Sequence, residues 1–259
     1  MIHRKTFAVA AFALAALTLE STAARAAESW TIEGLNLTGS WMRFPGFRDK
    51  PDPALIPPRP TEAPLKPEYK ADYDKMRAEQ RASDARGEPL ANAGTECLPE
   101  GMPNMMAAIY PIEILQTPGQ VTIIEEAMSQ VRRIYLGEKQ AEMAAVGPGY
   151  FGHSVGNWKD DVLEVDTIGI KTAVRGFRDT PHSAQMRIKE RFFLKAPDIL
   201  YDEITVEDSV EDSVVLEKPW TFTLALKRAP DYQMLEYVCE NNRDFIDENG
   251  VTRVRLQDK

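Results

Sequence analysis

The sequence predicts a mainly β protein whose strands form an antiparallel meander, closed as a lipocalin-like β-barrel or, as the alternative, folded as a β-sandwich. From residue 120 onward, apolar and polar residues alternate with period two, the spacing of half-buried strands. About eight such segments follow one another with short connections. No helix of crossover length separates them, which disfavours a parallel α/β fold. A run of this many strands closes into a barrel or packs as two sheets, and the barrel is our first expectation.

Residues 1–26 are typical of a secretory signal peptide. A basic start is followed by an apolar run from Phe7 to Leu19 and by small residues around Ala24-Arg25-Ala26. The apolar run is shorter than the roughly 20 residues that span a bilayer. We therefore expect cleavage after Ala26, no membrane insertion of the mature chain, and a periplasmic or secreted location in a bacterium.

Residues 27–66 are predicted to hold a first strand and a proline-rich arm. The strand is expected over Leu35–Trp41. Residues 45–67 then carry eight of the 18 prolines, a density that neither a central strand nor a helix accepts. We expect an arm that runs extended over the surface, and a flexible linker is the alternative.

Residues 67–259 are predicted to form one surface helix and a single β-barrel domain. Pro67 suits the first turn of a helix, residues 67–86 place apolar side chains along one stripe, and Gly87 and Pro89 end it. Ala196-Pro197-Asp198 is a strong hairpin turn. The strands predicted after residue 120 are Val121–Met128, Val131–Leu136, Val162–Ile170, Met186–Leu194, Leu200–Glu207, Trp220–Arg228 and Leu235–Glu240.

Charge and composition exclude several classes of protein. The chain has 31 Lys and Arg against 40 Asp and Glu, a net charge of -9, whereas nucleic-acid binding demands clustered basic residues. It contains no phosphate loop, dinucleotide fingerprint or zinc-binding histidine motif. We therefore predict no nucleic-acid partner, no cofactor and no metal site.

Cys97 and Cys239 are the two cysteines of the chain and form its one possible intramolecular pair. In an oxidising compartment a disulfide is favoured over two buried free thiols. Closing so long a loop restricts the unfolded chain, which stabilises the fold by about 4–5 kcal/mol in the chain-entropy model.

The segment from Gly152 to Gly156 has the G-x-S-x-G spacing of a hydrolase nucleophile elbow, with Ser154 at its centre. An elbow needs a strand before the serine and a helix after it, but here a Gly/Pro loop precedes and a strand follows. We therefore do not expect a serine hydrolase. His153 and His182 are candidate general bases near strand starts, and the alternative is that each caps a turn or satisfies a buried backbone group.

Two carboxylates fall on the apolar side of neighbouring predicted strands. Residues two positions apart in a strand point to the same face. Glu190 therefore points to the same side as Ile188 and Phe192, and Asp202 to the same side as Leu200 and Ile204. Burying carboxylates is costly unless they are paired or hydrogen-bonded. In one interpretation they form the polar floor of a ligand cavity, as acid/base groups. In the other, an inward arginine such as Arg132 neutralises them, or a bulge shifts the parity.

A series of short motifs runs through residues 95–242. They are CLPEGMP at 97–103, YPIEILQ at 110–116, RRIY at 132–135, GHSVGNW at 152–158, VDT at 165–167, HS at 182–183, ER at 190–191, KPW at 218–220 and EYVCEN at 236–241. Together they resemble a group of exported bacterial proteins of unassigned function. The group's Trp-Glu-Gly-Asp is replaced here by Trp158-Lys159-Asp160-Asp161. The resemblance implies a shared exported β-fold and carries no reaction with it.

We therefore predict an exported lipocalin-like protein that binds a small, partly apolar molecule in a β-barrel cavity. The first alternative is an enzyme of isomerase, hydratase or lyase type using the same cavity. The second is an envelope accessory protein that interacts through its proline-rich arm and acidic surface. The candidate catalytic residues are His153, His182, Glu190 and Asp202. The candidate ligand contacts are Arg132, Ser154 and Trp158.

Overall fold

The structure is a computed structural model in which part of the chain is described. The described residues are 32–94, 96–107, 109–208, 215–239 and 244–254. The predicted signal peptide and its cleavage site lie outside these ranges.

Nine strands form one closed β-barrel in chain order, and the first strand pairs with the ninth. This confirms the mainly β prediction and selects the barrel over the sandwich. The strands are β1 Gly39–Arg43, β2 Ile112–Thr117, β3 Gln120–Glu125, β4 Gln130–Leu136, β5 His153–Lys159, β6 Val162–Ile168, β7 Arg187–Ala196, β8 Ile199–Glu207 and β9 Trp220–Arg228.

One pair of neighbours departs from the expected antiparallel meander. β4 and β5 are parallel, with Ile134 opposite Ser154, whereas the other neighbouring pairs of the barrel are antiparallel. Parallel neighbours need a connection that returns to the end from which the first strand started. Residues 137–152 make this return with a single 3₁₀ turn, Met143–Ala145, and no long helix.

The predicted last strand, Leu235–Glu240, is wrong in its described part. Residues 232–239 have no regular secondary structure, and Glu240 lies outside the described residues. Leu235 and Val238 are both 66% exposed, so their apolar character does not mark a buried strand face. We refer to residues 232–239 as the C-terminal strap.

A small separate hairpin follows the barrel. β10 Asp244–Ile246 pairs with β11 Thr252–Val254 in a two-stranded sheet. An isolated bridge between Leu90 and Val251 attaches this hairpin to the segment that follows the surface helix.

Within the described ranges, two α-helices lie outside the barrel. α1, Pro67–Ala85, confirms the predicted surface helix and ends before Gly87, which has φ of +72°. α2, Asn104–Ala107, is a single turn with Met105 and Met106 buried. Neither helix, nor any other in the described ranges, has the length and apolar content that a bilayer span requires.

The proline-rich arm, residues 45–67, is fixed along the barrel surface. The Tyr201 hydroxyl donates to the Leu55 carbonyl at 3.1 Å, and Leu65 forms an isolated bridge with Leu216. These attachments at both halves of the arm match the expected extended surface arm rather than a flexible linker.

Cys97 and Cys239 form the predicted disulfide, with their Cα atoms 5.7 Å apart. The bond joins the loop that precedes α2 to the end of the C-terminal strap. The strap is therefore anchored covalently although it pairs with no strand of the barrel.

Replacing both cysteines by serine is expected to lower the free energy of unfolding by about 2–5 kcal/mol, because the unfolded chain regains the freedom of an open loop. Urea unfolding of a protein that comprises residues 27–259, followed by tryptophan fluorescence, measures the loss. Wild type unfolded with a reducing agent provides the matched control and should show a similar loss. Equal midpoints for the reduced, oxidised and double-serine chains would contradict a stabilising role.

Candidate functional site: a polar cluster in the barrel lumen

Five polar side chains meet in the lumen at the level where β4 to β8 lie side by side. Alternate residues of each strand point inward, so the register fixes which side chains share this level. Each of the five is at most 1% exposed. This polar cluster consists of Arg132, Ser154, Thr167, Glu190 and Asp202.

Arg132 is the centre of the cluster. Its guanidinium donates to both carboxylate oxygens of Glu190, with the Nη1–Oε1 distance at 2.7 Å. It also donates from Nη2 to Thr167 Oγ1 at 3.0 Å and from Nε to Ser154 Oγ at 3.3 Å. Every guanidinium nitrogen is thus engaged, and the charges of Arg132 and Glu190 compensate one another in a bidentate pair.

Ser154 belongs to this network and not to a nucleophile elbow. Its hydroxyl lies 2.8 Å from that of Thr167, and β5 continues past it to Lys159 without a helix. Thr167 was not predicted as a site residue. It lies directly opposite Ser154 in the β5–β6 register, so the inward parity of β6 identifies it once β5 is known.

Asp202 is the unpaired member of the cluster. Both carboxyl oxygens are buried, and neither has a hydrogen-bond partner among the described residues. Its cross-strand neighbours are Phe192 and Leu224. Burial, reinforced by the negative charge of Glu190, raises the pKa of Asp202 well above its usual range, and Arg132 opposes this shift. The protonated carboxyl is therefore favoured.

Apolar side chains fill the lumen on both sides of the polar cluster. Trp41, Ile134, Ile188 and Ile204 are each completely buried. A space of about 10 Å³ lies at one mouth of the barrel, with Phe177, His182 and Trp220 among its lining residues. That volume accommodates about one water molecule. Two larger grooves, of about 640 and 600 Å³, are lined by loop residues 142–148 and 169–172 and by arm and helix residues 62–74.

The two histidines do not join the two carboxyl groups. His153 lies on the outer face of β5, where its ring stacks on Tyr135 with centroids 5.5 Å apart and Nδ1 is 3.0 Å from Gln140 Oε1. The ring nitrogens of His182 lie 2.8 and 2.9 Å from backbone carbonyl oxygens. Neither histidine forms a hydrogen bond with Glu190 or Asp202 among the described contacts.

Trp158 lies toward the opposite end of the barrel from His182. A Cβ atom added at Gly34 would lie 2.2 Å from Trp158 Cδ2, so the N-terminal segment approaches the indole as closely as glycine permits. The same segment is fixed by Gln116, whose Oε1 accepts from Leu37 N at 2.6 Å. Trp158, a predicted ligand contact, therefore packs beneath this segment.

A second buried acid, which was not predicted, lies on β3. Glu125 is fully buried, and one of its oxygens accepts from Gln130 Nε2 at 2.6 Å while the other has no described partner. Burial and the nearby charge of Glu100 raise the pKa of Glu125 to about 9 against the lowering effect of Gln130. Glu125 points to the same side of β3 as the apolar residues Val121 and Ile123. The same alternation with apolar residues identified Glu190 from the sequence.

Among the described residues, no group of three or more His, Cys, Asp or Glu side chains is arranged to hold a metal ion. No protein-family profile matches the chain, and a search of curated proteins returns no significant match.

Arg132→Met is expected to lower the free energy of unfolding by about 3–5 kcal/mol, because it leaves the Glu190 charge buried and unpaired. Adding Glu190→Leu should restore much of that loss. Arg191→Met is the matched control, because it breaks an exposed ion pair between Arg191 of β7 and Glu203 of β8, whose Nη1–Oε1 distance is 3.0 Å. It should cost less than about 1 kcal/mol. Urea unfolding of the four proteins tests this order, and equal losses for the two arginine variants would refute it.

The high pKa of Glu125 predicts a pH dependence of stability. The folded chain keeps a proton at Glu125 up to a pH of about 9, whereas the unfolded chain releases it near the ordinary pKa of 4.5. The free energy of unfolding should therefore fall as the pH rises from about 5 to 9, by up to about 1.4 kcal/mol per pH unit.

Glu125→Gln removes this titration, so its unfolding free energy should change less with pH and exceed that of wild type at pH 8. Glu113→Gln, on the outer face of β2, is the control and should keep the wild-type slope. Urea unfolding at a series of pH values measures both slopes. The same slope in Glu125→Gln as in wild type would show that Glu125 is not responsible.

Proposed function

We propose that this protein is an exported lipocalin-like binding protein that holds a small, partly apolar molecule in its barrel, with the polar cluster as the recognition site. The observation that carries the proposal is the state of Asp202. A buried carboxyl without a partner costs about 1–3 kcal/mol, which a bound hydrogen-bond donor offsets. Buried unpaired polar groups are rare in native proteins, and one such group beside an ion pair supports a binding role.

The polar cluster also limits the chemistry of the ligand. Each nitrogen of Arg132 already donates within the cluster, and both oxygens of Glu190 accept from Arg132. Within the cluster, the described atoms that have no hydrogen-bond partner at all are the two Asp202 oxygens. A complementary ligand therefore presents an N–H or O–H donor to the carbonyl oxygen of the protonated Asp202 carboxyl and an acceptor to its hydroxyl. Its apolar body faces the Phe192 and Leu224 side chains.

We place the access route at the mouth beside His182. Phe177 lies there in the 3₁₀ turn Phe177–Asp179, outside the barrel strands, and stacks on Phe222 with ring centroids 4.3 Å apart. Phe222 pairs with Ile204, which is one inward position from Asp202. Because the lumen is filled by side chains, binding requires Phe177 and Phe222 to move, and this displacement leaves the strands intact.

The geometry supports binding better than acid/base catalysis. His182 faces carbonyl oxygens with both ring nitrogens, so neither is free to accept a proton from a substrate. His153 lies on the outer face of β5, away from the carboxyl groups of the lumen. Neither histidine therefore offers a base to a ligand held at Asp202.

A periplasmic or secreted location is part of the proposal. The disulfide between Cys97 and Cys239 is typical of an oxidising compartment. The leader sequence and the resemblance to exported bacterial proteins support the same location.

A thermal-shift screen of the mature chain, residues 27–259, against small molecules with and without hydrogen-bond donors tests the proposal. Hits should carry a donor, and their dissociation constants should rise at least about tenfold in Asp202→Leu. Glu203→Gln, which changes the adjacent outward carboxylate, should bind like wild type. Hits that stabilise Asp202→Leu as much as wild type would place binding elsewhere and overturn the proposed site.

A further inference from the structure

Exposed apolar side chains gather at one place on the surface, beside the disulfide. Ten large apolar side chains are exposed among the described residues, and five of them belong to this neighbourhood. Three of the five are about two-thirds exposed, the highest values of the ten after Phe47. The apolar patch consists of Leu98, Ile109, Tyr110, Leu235 and Val238.

Direct contacts join the segments that carry the patch. The disulfide links the neighbours of Leu98 and Val238 in the chain. The rings of Tyr110 and Tyr237 pack edge to face with centroids 5.8 Å apart. Leu235 N donates to Glu126 Oε2 at 2.8 Å, and Glu126 N donates to the carbonyl of Pro111, next to Tyr110. The segments that carry the five exposed side chains therefore lie next to one another.

Bonds within the chain hold the C-terminal strap, which carries part of the patch, in a fixed position. Besides the disulfide, the Tyr232 hydroxyl donates to Glu126, and Ser129 Oγ donates to the carbonyl of Tyr237 at 3.4 Å. These bonds fix the C-terminal strap although it belongs to no sheet. A prearranged apolar surface loses little conformational entropy on binding, which favours its use as an interface.

The surroundings of the patch are acidic. The described segments that form or support it, residues 96–107, 109–113, 126–130 and 231–239, contain no Lys or Arg. Their acidic residues are Glu96, Glu100, Glu113, Glu126, Asp231 and Glu236. An apolar centre with a charged rim of one sign is the arrangement expected of a binding surface for a partner of the opposite sign.

We propose that the apolar patch docks a segment of another protein in which apolar side chains are flanked by Lys or Arg. An anionic membrane surface is disfavoured because the acidic rim repels it. A second copy of this chain is disfavoured because docking two identical patches would bring their acidic rims together. The proposal uses a surface distinct from the lumen, so it does not depend on the proposed ligand site.

The probe is a fluorescein-labelled synthetic peptide in which Lys alternates with Leu, titrated with the mature chain and followed by fluorescence anisotropy. Peptides that alternate Glu with Leu and Lys with Ser separate the charge requirement from the apolar one. We expect binding of the Lys/Leu peptide, at least about tenfold weaker binding of the other two, and weakening by added salt.

Leu235→Ser/Val238→Ser should weaken binding of the Lys/Leu peptide at least about tenfold, and Glu236→Lys should weaken it as well. The matched control is Phe47→Ser/Ile56→Ser, which removes two exposed apolar side chains from the proline-rich arm and should bind like wild type. Equal thermal unfolding of all variants shows that the fold is kept. Absence of peptide binding, or equal losses in the patch and control variants, would overturn the proposal.

Three further measurements distinguish other occupants of the patch, and each positive result would overturn the proposal. The first is a dimer in sedimentation that Leu235→Ser/Val238→Ser abolishes. The second is binding to phosphatidylglycerol vesicles that the same variant abolishes. The third is tighter peptide binding by Arg255→Glu/Lys259→Glu, which would show that the chain's own basic C-terminal residues cover the patch.

Discussion

A ring built from an odd number of strands closes only if an odd number of its neighbouring pairs are parallel. The barrel has nine strands, and the β4–β5 pair satisfies this condition with a return connection at residues 137–152. All other adjacencies of the barrel stay antiparallel, including the closure of β1 on β9. The parallel pair also brings Ser154 opposite Ile134, two residues from Arg132, so the same constraint assembles the polar cluster.

The parallel pair of β4 and β5, here called the parallel seam, is short, since three residue pairs define its register. Arg132 strengthens it from within the lumen: it bonds to Ser154 on β5, Thr167 on β6 and Glu190 on β7. A slip of one residue at the seam would move these partners to the opposite face and leave a buried charge unpaired. The Arg132–Ser154 hydrogen bonds thus link β4 and β5 through side chains, in addition to their three backbone-paired residues. Asp202, on β8, lies beside this network, and its oxygens have no hydrogen-bond partner in the described part of the chain.

Period-two alternation predicted the mainly β fold, β9 and the inward direction of Glu190 and Asp202, and the Ala196-Pro197-Asp198 turn predicted the β7–β8 hairpin. The choice between barrel and sandwich did not follow from alternation, because both are built from strands of this kind. The same rule applied to β3 would have identified Glu125. The sequence of β5 hides its periodicity because it carries a histidine, a serine and a glycine, so the outward direction of His153 did not follow from sequence. In the C-terminal strap, apolar residues such as Leu235 and Val238 are exposed at the surface, but their sequence pattern resembles that of a strand. The parallel pairing of β4 with β5 depends on the number of strands in the closed ring, which no local sequence pattern indicates.

The 3₁₀ turn Phe177–Asp179 is attached to the rest of the molecule from its solvent side. Arg77 of α1 pairs with Asp179 at 2.6 Å, with about a third of each side chain exposed, and Tyr73 donates to the carbonyl of Arg178. Arg178 in turn donates to Pro60 of the arm. Mobile ions screen such partly hydrated charges far more than the dry pair inside the barrel. Raising the ionic strength should therefore weaken the attachment of the Phe177–Asp179 turn over this mouth of the barrel. The buried Arg132–Glu190 pair is screened less, so the strands beneath the turn should keep their register.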